Sequence, residues 1–355
     1  MVLVVGRSPA GLALLDTPVK PKTYTVNVED PPETRWVQVL KDFKFMVPEL
    51  NKTVQTLVPA EFIPLAEQIG AQLDKSIIQP FADEIKGVAK IFGLPLGEMV
   101  LLNIIYDMTA FCTSVVAQDS AGNIWHTRNL DYYYGDVLRN MTIVVNFQRN
   151  GKTVYTATTY AGYVGILTGQ KPGLFSVSVD QRGHKVHVGT YWQNLLIAIL
   201  DKNSQFVSFL VREVLENVTS FDEAVRQLSY RIIHAPVYYI VGGAKKGEGV
   251  VITRDRLAAV DKWNIEPLFG KWYILETNYD HWTTPPPSDN RRTPGIKAMD
   301  KVGQAGVNMT SLFDVMSTNP VMNMNTTYTA IMSAGNPQLY TTWIRWPKEG
   351  GGVND

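Results

Sequence analysis

The apolar positions along the chain change period near residue 112. Before it they recur at helical spacing: Phe62, Ile63, Leu65, Ala66, Ile69 and Leu73 within residues 60–73, then Ile77, Ile78, Phe81, Ile85, Val88 and Ile91, until Gly93 and Pro95 stop the helix. Residues 97–110 read as a buried helix running up to Cys112. Upstream, Tyr24–Val28 alternates as a strand does, and Pro31-Pro32-Glu33 opens a helical stretch through Trp36, Val37 and Leu40. From Cys112 onward strands take over. Cys112–Ala117 and Ile124–Arg128 flank the turn residues Asp119–Asn123, while 141–147 and 153–159 flank Asn150-Gly151, a strong hairpin signal. Further strands are expected at 174–179, 237–241, 249–253 and 272–276. Helices are expected at 191–201, at 205–216, after Thr219-Ser220, and at 310–317. Strands grouped in hairpins, with helices clustered between them, predict an α+β fold of stacked antiparallel sheets covered by helices.

Composition narrows the class. Of 355 residues 45% are hydrophobic and 19% charged, and Lys plus Arg equals Asp plus Glu at 33 each. That balance, without a basic block, argues against a nucleic-acid partner. Residues 1–15 are apolar in pieces but interrupted by Arg7 and Pro9, and read as a degraded, truncated or misannotated signal segment. Asn-x-Thr sequons begin at Asn51, Asn140, Asn217, Asn308 and Asn325, which favours glycosylation on the secretory route.

Candidate chemistry is sparse. His126, His184, His187, His234 and His281 lack metal-ligand spacing, and there is no Walker loop, G-x-G-x-x-G or G-x-S-x-G. No metal or cofactor is expected. Cys112 is the single cysteine, so no internal disulfide forms. A lone cysteine can simply be a small buried hydrophobe. Alternatively it is a nucleophile, which requires a base. If the chain is cut just before Cys112, its new α-amine, with a reference pKa of about 8, can be that base without any histidine.

The segment Cys112-Thr-Ser-Val-Val-Ala-Gln-Asp-Ser, followed by His126-x-Arg128-Asn-Leu-Asp131, resembles the acid ceramidase family of N-terminal-nucleophile amidases. So do Ala161–Gly165, Thr168–Phe175, Gly242-Gly243, Val251–Arg256, Glu276–Trp282 and Asp289–Thr293, in the same order. The resemblance implies an αββα N-terminal-nucleophile fold, made as a zymogen and self-cleaved at Phe111-Cys112. Residues 1–111 would form an α-subunit and 112–355 a β-subunit, held together without a covalent link. It implies that Cys112 is the nucleophile, that Arg128 holds the thiolate and orients the substrate carbonyl, and that Asp131 binds the α-amine. Asn278 would donate to the oxyanion, and Arg291 would complete the network. Thr127 stands where the family usually has Gly, and Gln181 where it usually has Glu.

The substrate implied is a lipid amide, with N-acylethanolamines favoured over ceramide, in a lysosomal compartment. Ceramide hydrolysis is the runner-up, a catalytically inactive lipid-binding glycoprotein the rival of another class, and a choloylglycine-type amidase a more distant one. The apolar helices of 60–110 could also touch a bilayer, although core packing is the stronger expectation for them.

Overall fold

A computed structural model of the chain describes residues 14–57, 64, 67, 68, 77–105, 111–132, 135–183 and 204–349. The helix expected over 60–73 falls largely outside them, and the one over 191–201 wholly so, as do His184 and His187. In chain order the strands are β1 (Leu14–Leu15), β2 (Thr23–Asn27), β3 (Phe111–Gln118), β4 (Ile124–Asp131) and β5 (Thr142–Arg149). Then come β6 (Lys152–Tyr160), β7 (Thr168–Lys171), β8 (Phe175–Gln181), β9 (Val237–Gly243) and β10 (Gly249–Arg254). The last are β11 (Ala259–Asn264), β12 (Tyr273–Glu276), β13 (Thr326–Met332), β14 (Thr341–Ile344) and β15 (Lys348–Glu349).

Two sheets make the body of the fold. An eight-stranded sheet runs β11-β10-β9-β8-β7-β6-β5-β2, and a five-stranded sheet runs β12-β3-β4-β13-β14. Neighbouring strands are antiparallel, except that β2 joins β5 in parallel and so sews the N-terminal segment onto an edge. The β5–β6 hairpin turns at Asn150 and Gly151, whose φ values of 52° and 69° are the left-handed pair that a tight hairpin needs. Tyr238, Ile240 and Val251 of the larger sheet pack on Val116, Ile124 and Ile274 of the smaller.

Helices close both outer faces. Phe81–Phe92, Leu96–Ile105 and Val207–Asn217 share one core with Phe147, Tyr155 and Val177 of the eight-stranded sheet. Arg292–Val302 and Met309–Met316 bring Met299, Leu312 and Val315 onto Val115 and Ala117 of β3. The layers are therefore helix, sheet, sheet, helix, the αββα arrangement expected.

The N-terminal helices are shorter than the periodicity predicts. The stretch opened by Pro31 is helical only over Val37–Lys41, and before it the Arg35 and Trp36 side chains donate to Glu84 of the Phe81–Phe92 helix. Ile77 and Ile78 precede that helix, which begins after Pro80. Its apolar stripe of Phe81, Ile85, Val88 and Phe92 is spent on the core rather than presented outward. Among the described residues no single helix is long and apolar enough to cross a membrane.

Candidate active site

The β3–β4 hairpin sets the site. Its register places Cys112 opposite Leu130 and Ser114 opposite Arg128. Side chains alternate faces along a strand, so Cys112, Ser114 and Arg128 all point at the eight-stranded sheet, with Arg128 diagonal to Cys112 and long enough to reach it. Thr113, Asn129 and Asp131 point the other way, toward the covering helices.

Arg128 is fully buried and donates through Nη2 to Cys112 Sγ at 2.7 Å and to the Val179 carbonyl at 3.1 Å. Its Nη1 donates to Thr168 Oγ1 at 2.7 Å, and Thr168 in turn meets Tyr328 Oη at 2.7 Å. Burial pushes the Cys112 thiol up to about 12, against the opposing pull of Arg128. The resting group is therefore the thiol, and attack requires a base to remove its proton.

The backbone of Cys112 is gripped as firmly as its side chain. Its N–H donates to Asn278 Oδ1 at 2.9 Å, and Arg291 donates through Nη1 to its carbonyl and through Nη2 to Asn278 Oδ1 at 2.6 Å. With Oδ1 receiving both donors, Asn278 Nδ2 turns to the Gln181 carbonyl at 2.7 Å. Nδ2 carries a second hydrogen that this bond does not use, and that hydrogen is the one Asn278 can offer to an oxyanion. Asp131 does not touch the Cys112 nitrogen in the uncut chain. It accepts from Thr326 Oγ1 at 2.6 Å and Asn323 Nδ2 at 2.9 Å, and faces Arg291 Nη1 at 3.5 Å. Asp131 thus reaches Cys112 through Arg291.

Asp180 is the site group that motif reading passed over. It is fully buried, its Oδ1 accepts from Ser114 Oγ at 2.7 Å, and it lies 3.6 Å from Arg128 Nη2. Burial, opposed by Arg128, raises its carboxyl to about 7. A chain of hydrogen bonds continues through Ser178 to His126 at 2.8 Å, and from His126 to Ser176 at 2.9 Å. Burial holds His126 neutral, down at about 3. The signal was present in β8: Ser176, Ser178 and Asp180 alternate with Phe175, Val177 and Val179, giving a polar face on a strand buried along Phe175–Asp180.

The two departures sit differently. Thr127 is on the far face of β4 and donates to the Ala330 carbonyl at 2.9 Å, clear of Cys112. Gln181 supplies its carbonyl to Asn278. Of the sequons, Asn140, Asn217 and Asn308 are exposed, and Asn51 and Asn325 partly so. Among the described residues no cluster of His, Cys, Asp or Glu is placed to hold a metal ion.

Comparison with known proteins agrees with this architecture. Residues 112–305, starting at Cys112 itself, match the profile of the linear amide C–N hydrolases, choloylglycine hydrolase family. Residues 19–78 match that of the beta subunit of N-acylethanolamine-hydrolyzing acid amidase, so the segment labelled α above carries the opposite label there. The chain is 42% identical to N-acylethanolamine-hydrolyzing acid amidase of Mus musculus, over 93% of this chain and 90% of the relative. It is 38% identical to acid ceramidase of Mus musculus, over 89% of this chain and 84% of that one. A solved structure of the Caenorhabditis elegans N-acylethanolamine-hydrolyzing acid amidase ortholog superposes with a TM-score of 0.60 at 38% identity, covering 66% of this chain and 99% of its own. The chain is a member of the choloylglycine hydrolase family of linear amide C–N hydrolases, in the group formed by the N-acylethanolamine-hydrolyzing acid amidases and acid ceramidases.

Proposed function

We propose that this chain is a lysosomal glycoprotein zymogen that cuts itself between Phe111 and Cys112 and then hydrolyses N-acylethanolamines to fatty acid and ethanolamine. The observation that carries the reading is the constellation around Cys112: one buried guanidinium on its sulfur, a second on its carbonyl, and Asn278 on its nitrogen. A nitrogen held in that way becomes, once the chain is cut, an α-amine fixed beside its own thiol.

In the uncut chain the thiol adds to the Phe111 carbonyl and its proton passes to the peptide nitrogen, which leaves as the amine of Cys112; water then hydrolyses the resulting thioester. In the mature enzyme the α-amine takes the thiol proton while sulfur attacks the substrate amide. The tetrahedral oxygen is met by Arg128 and by the second Nδ2 hydrogen of Asn278, a contact of this kind contributing about 3 kcal/mol to barrier lowering. The ammonium returns its proton to the departing ethanolamine, and water, deprotonated by the same amine, opens the thioester. Asp131 and Arg291 keep the new terminus in place.

An acid compartment and a lipid-amide substrate are supported by the names of the relatives, and glycosylation by sequons on accessible positions. The inactive lipid-binding alternative is disfavoured by the intact set of Cys112, Arg128, Asp131, Asn278 and Arg291. Ceramide remains the second reading because acid ceramidase is similar over 89% of the chain. Ceramide adds a second long chain beyond the scissile amide, and a mouth too narrow to enclose it forgoes roughly 0.8 kcal/mol for each methylene left unburied. The test is kcat/KM for palmitoylethanolamide against a ceramide of equal acyl length, in one detergent at acid pH. Palmitoylethanolamide should be preferred; the reverse order moves the chain to the ceramidase branch.

A further inference from the structure

Cys112 and Asp180 share one cation. Arg128 Nη2 is 2.7 Å from the sulfur and 3.6 Å from Asp180 Oδ1, and all three side chains are fully buried. We propose that Asp180 is a positioning residue for Cys112, one that must hold a proton for Arg128 to serve the negative charge that develops on sulfur and then on the tetrahedral oxygen. The proposal rests on the reading of Cys112 as nucleophile.

The charges around Asp180 decide this. From β3 it faces Cys112 and the hydroxyl of Ser114; from β4, Arg128 and His126, with the charge of Asp131 acting from that strand's other face; from β12, Glu276; and from the start of the Arg292–Val302 helix, Arg291. Beside it on β9 is Tyr238, its register partner, whose hydroxyl is committed to Asp280. His126 is neutral, and burial lifts Glu276 to about 8, so it too is neutral in acid. Arg291 is taken by Asp131 and Asp289. Arg128 is left as the cation available to both Asp180 and Cys112. In a dry space between sheets a second anion against one cation is costly, whereas in water it would be screened. An ionised Asp180 therefore uses up the charge that a thiolate or oxyanion needs, and a protonated one releases it.

The hydrogen bonding agrees. Both oxygens of Asp131 are occupied by donors. Asp180 Oδ2, by contrast, is buried with no hydrogen-bond partner among the described residues. A carboxylate oxygen left bare is costly, while the neutral acid tolerates it. Asp180 makes and breaks no bond to substrate; it exchanges one proton with solvent, and the thiol proton still goes to the peptide nitrogen in self-cleavage and to the α-amine in turnover. Because its carboxyl loses that proton near about 7, the activity should fall as pH rises through that point.

The test is the pH dependence of self-cleavage and of kcat/KM for the full chain, in wild type and in Asp180→Asn. Asparagine still accepts from Ser114 but is neutral at every pH. The readout is the ratio of kcat/KM at neutral to that at acid pH, which is independent of the absolute rate. Asp180→Asn should raise that ratio about tenfold or more by removing the alkaline limb. A second variant, Ser114→Ala, deletes the donor that favours the ionised form, and should move the limb to higher pH. A limb unmoved in both variants overturns the proposal for Asp180 alone. A wild-type chain that neither cuts itself nor hydrolyses amides at any pH would instead remove the reading of function beneath it.

Discussion

Arg128 meets Cys112 at 2.7 Å from Nη2 to Sγ, although the two lie on different strands and sixteen positions apart. The pairing of Ser114 with Arg128 in the hairpin makes this contact: it sets the guanidinium one step diagonally from the sulfur on the same face. Displacing either strand by one residue would put the two side chains on opposite faces of the sheet.

Cys112→Ala tests the double duty of the sulfur. The variant should fold, remain a single uncut chain in acid and hydrolyse no amide, while wild type yields a fragment whose N-terminal sequence begins Cys-Thr-Ser-Val-Val. Gel mobility and N-terminal sequencing read the result, and an active Cys112→Ala protein would sink the mechanism.

Asp131→Asn separates an anchoring role from a structural one. The change removes the negative charge opposite Arg291 and sets an amide group against the donors Thr326 and Asn323, costing about 1–3 kcal/mol. The melting temperature should fall by a few degrees, and self-cleavage should slow by far more than that loss explains. Wild-type cutting and turnover in a folded Asp131→Asn chain would make the residue structural only.

Glu84 should tie the two segments together. Its carboxylate receives Arg35 at 2.7 Å and Trp36 at 2.6 Å from the N-terminal segment, and Arg212 at 2.6 and 2.7 Å from beyond Cys112. Glu84→Gln leaves two buried guanidinium groups short of their anion, a loss of about 3–5 kcal/mol. Calorimetry should show a drop of about 10 °C in Tm. After self-cleavage the fragments should separate at lower urea than in wild type; unchanged separation would place the hold elsewhere.

Stability itself should lean to acid. Burial raises Asp180 to about 7 and Glu276 to about 8, so the folded chain keeps two protons that the unfolded chain has released. Between the ordinary carboxylate range and these values the native state binds more protons than the unfolded state, and stability falls as pH rises. Each group can contribute a few kcal/mol to that slope. Urea unfolding of Cys112→Ala, which avoids self-cleavage, should give a higher midpoint near pH 5 than near pH 8. Asp180→Asn and Glu276→Gln in that background should each flatten the slope.

What the sequence by itself determined was local. Asn150-Gly151 announced its hairpin because the turn needs two left-handed residues, and Cys112–Ala117 with Ile124–Arg128 announced theirs by alternation around Asp119–Asn123. That pairing also carries Arg128 to Cys112. Strands β7, β13 and β14 escaped notice because β7 and β13 are buried on both faces, which erases alternation, and because β14 is short; β11 alternates cleanly and could have been read. Only the tertiary structure brought Asn278 and Arg291 onto the backbone of Cys112, from more than 160 positions away. It alone put Asp180 of β8 against Arg128 of β4, since which sheet face meets which is decided by the packing of layers. The ionisation of Asp180 is likewise a property of that contact: the same side chain in an open strand would titrate as an ordinary carboxylate, and burial between the sheets is what changes it.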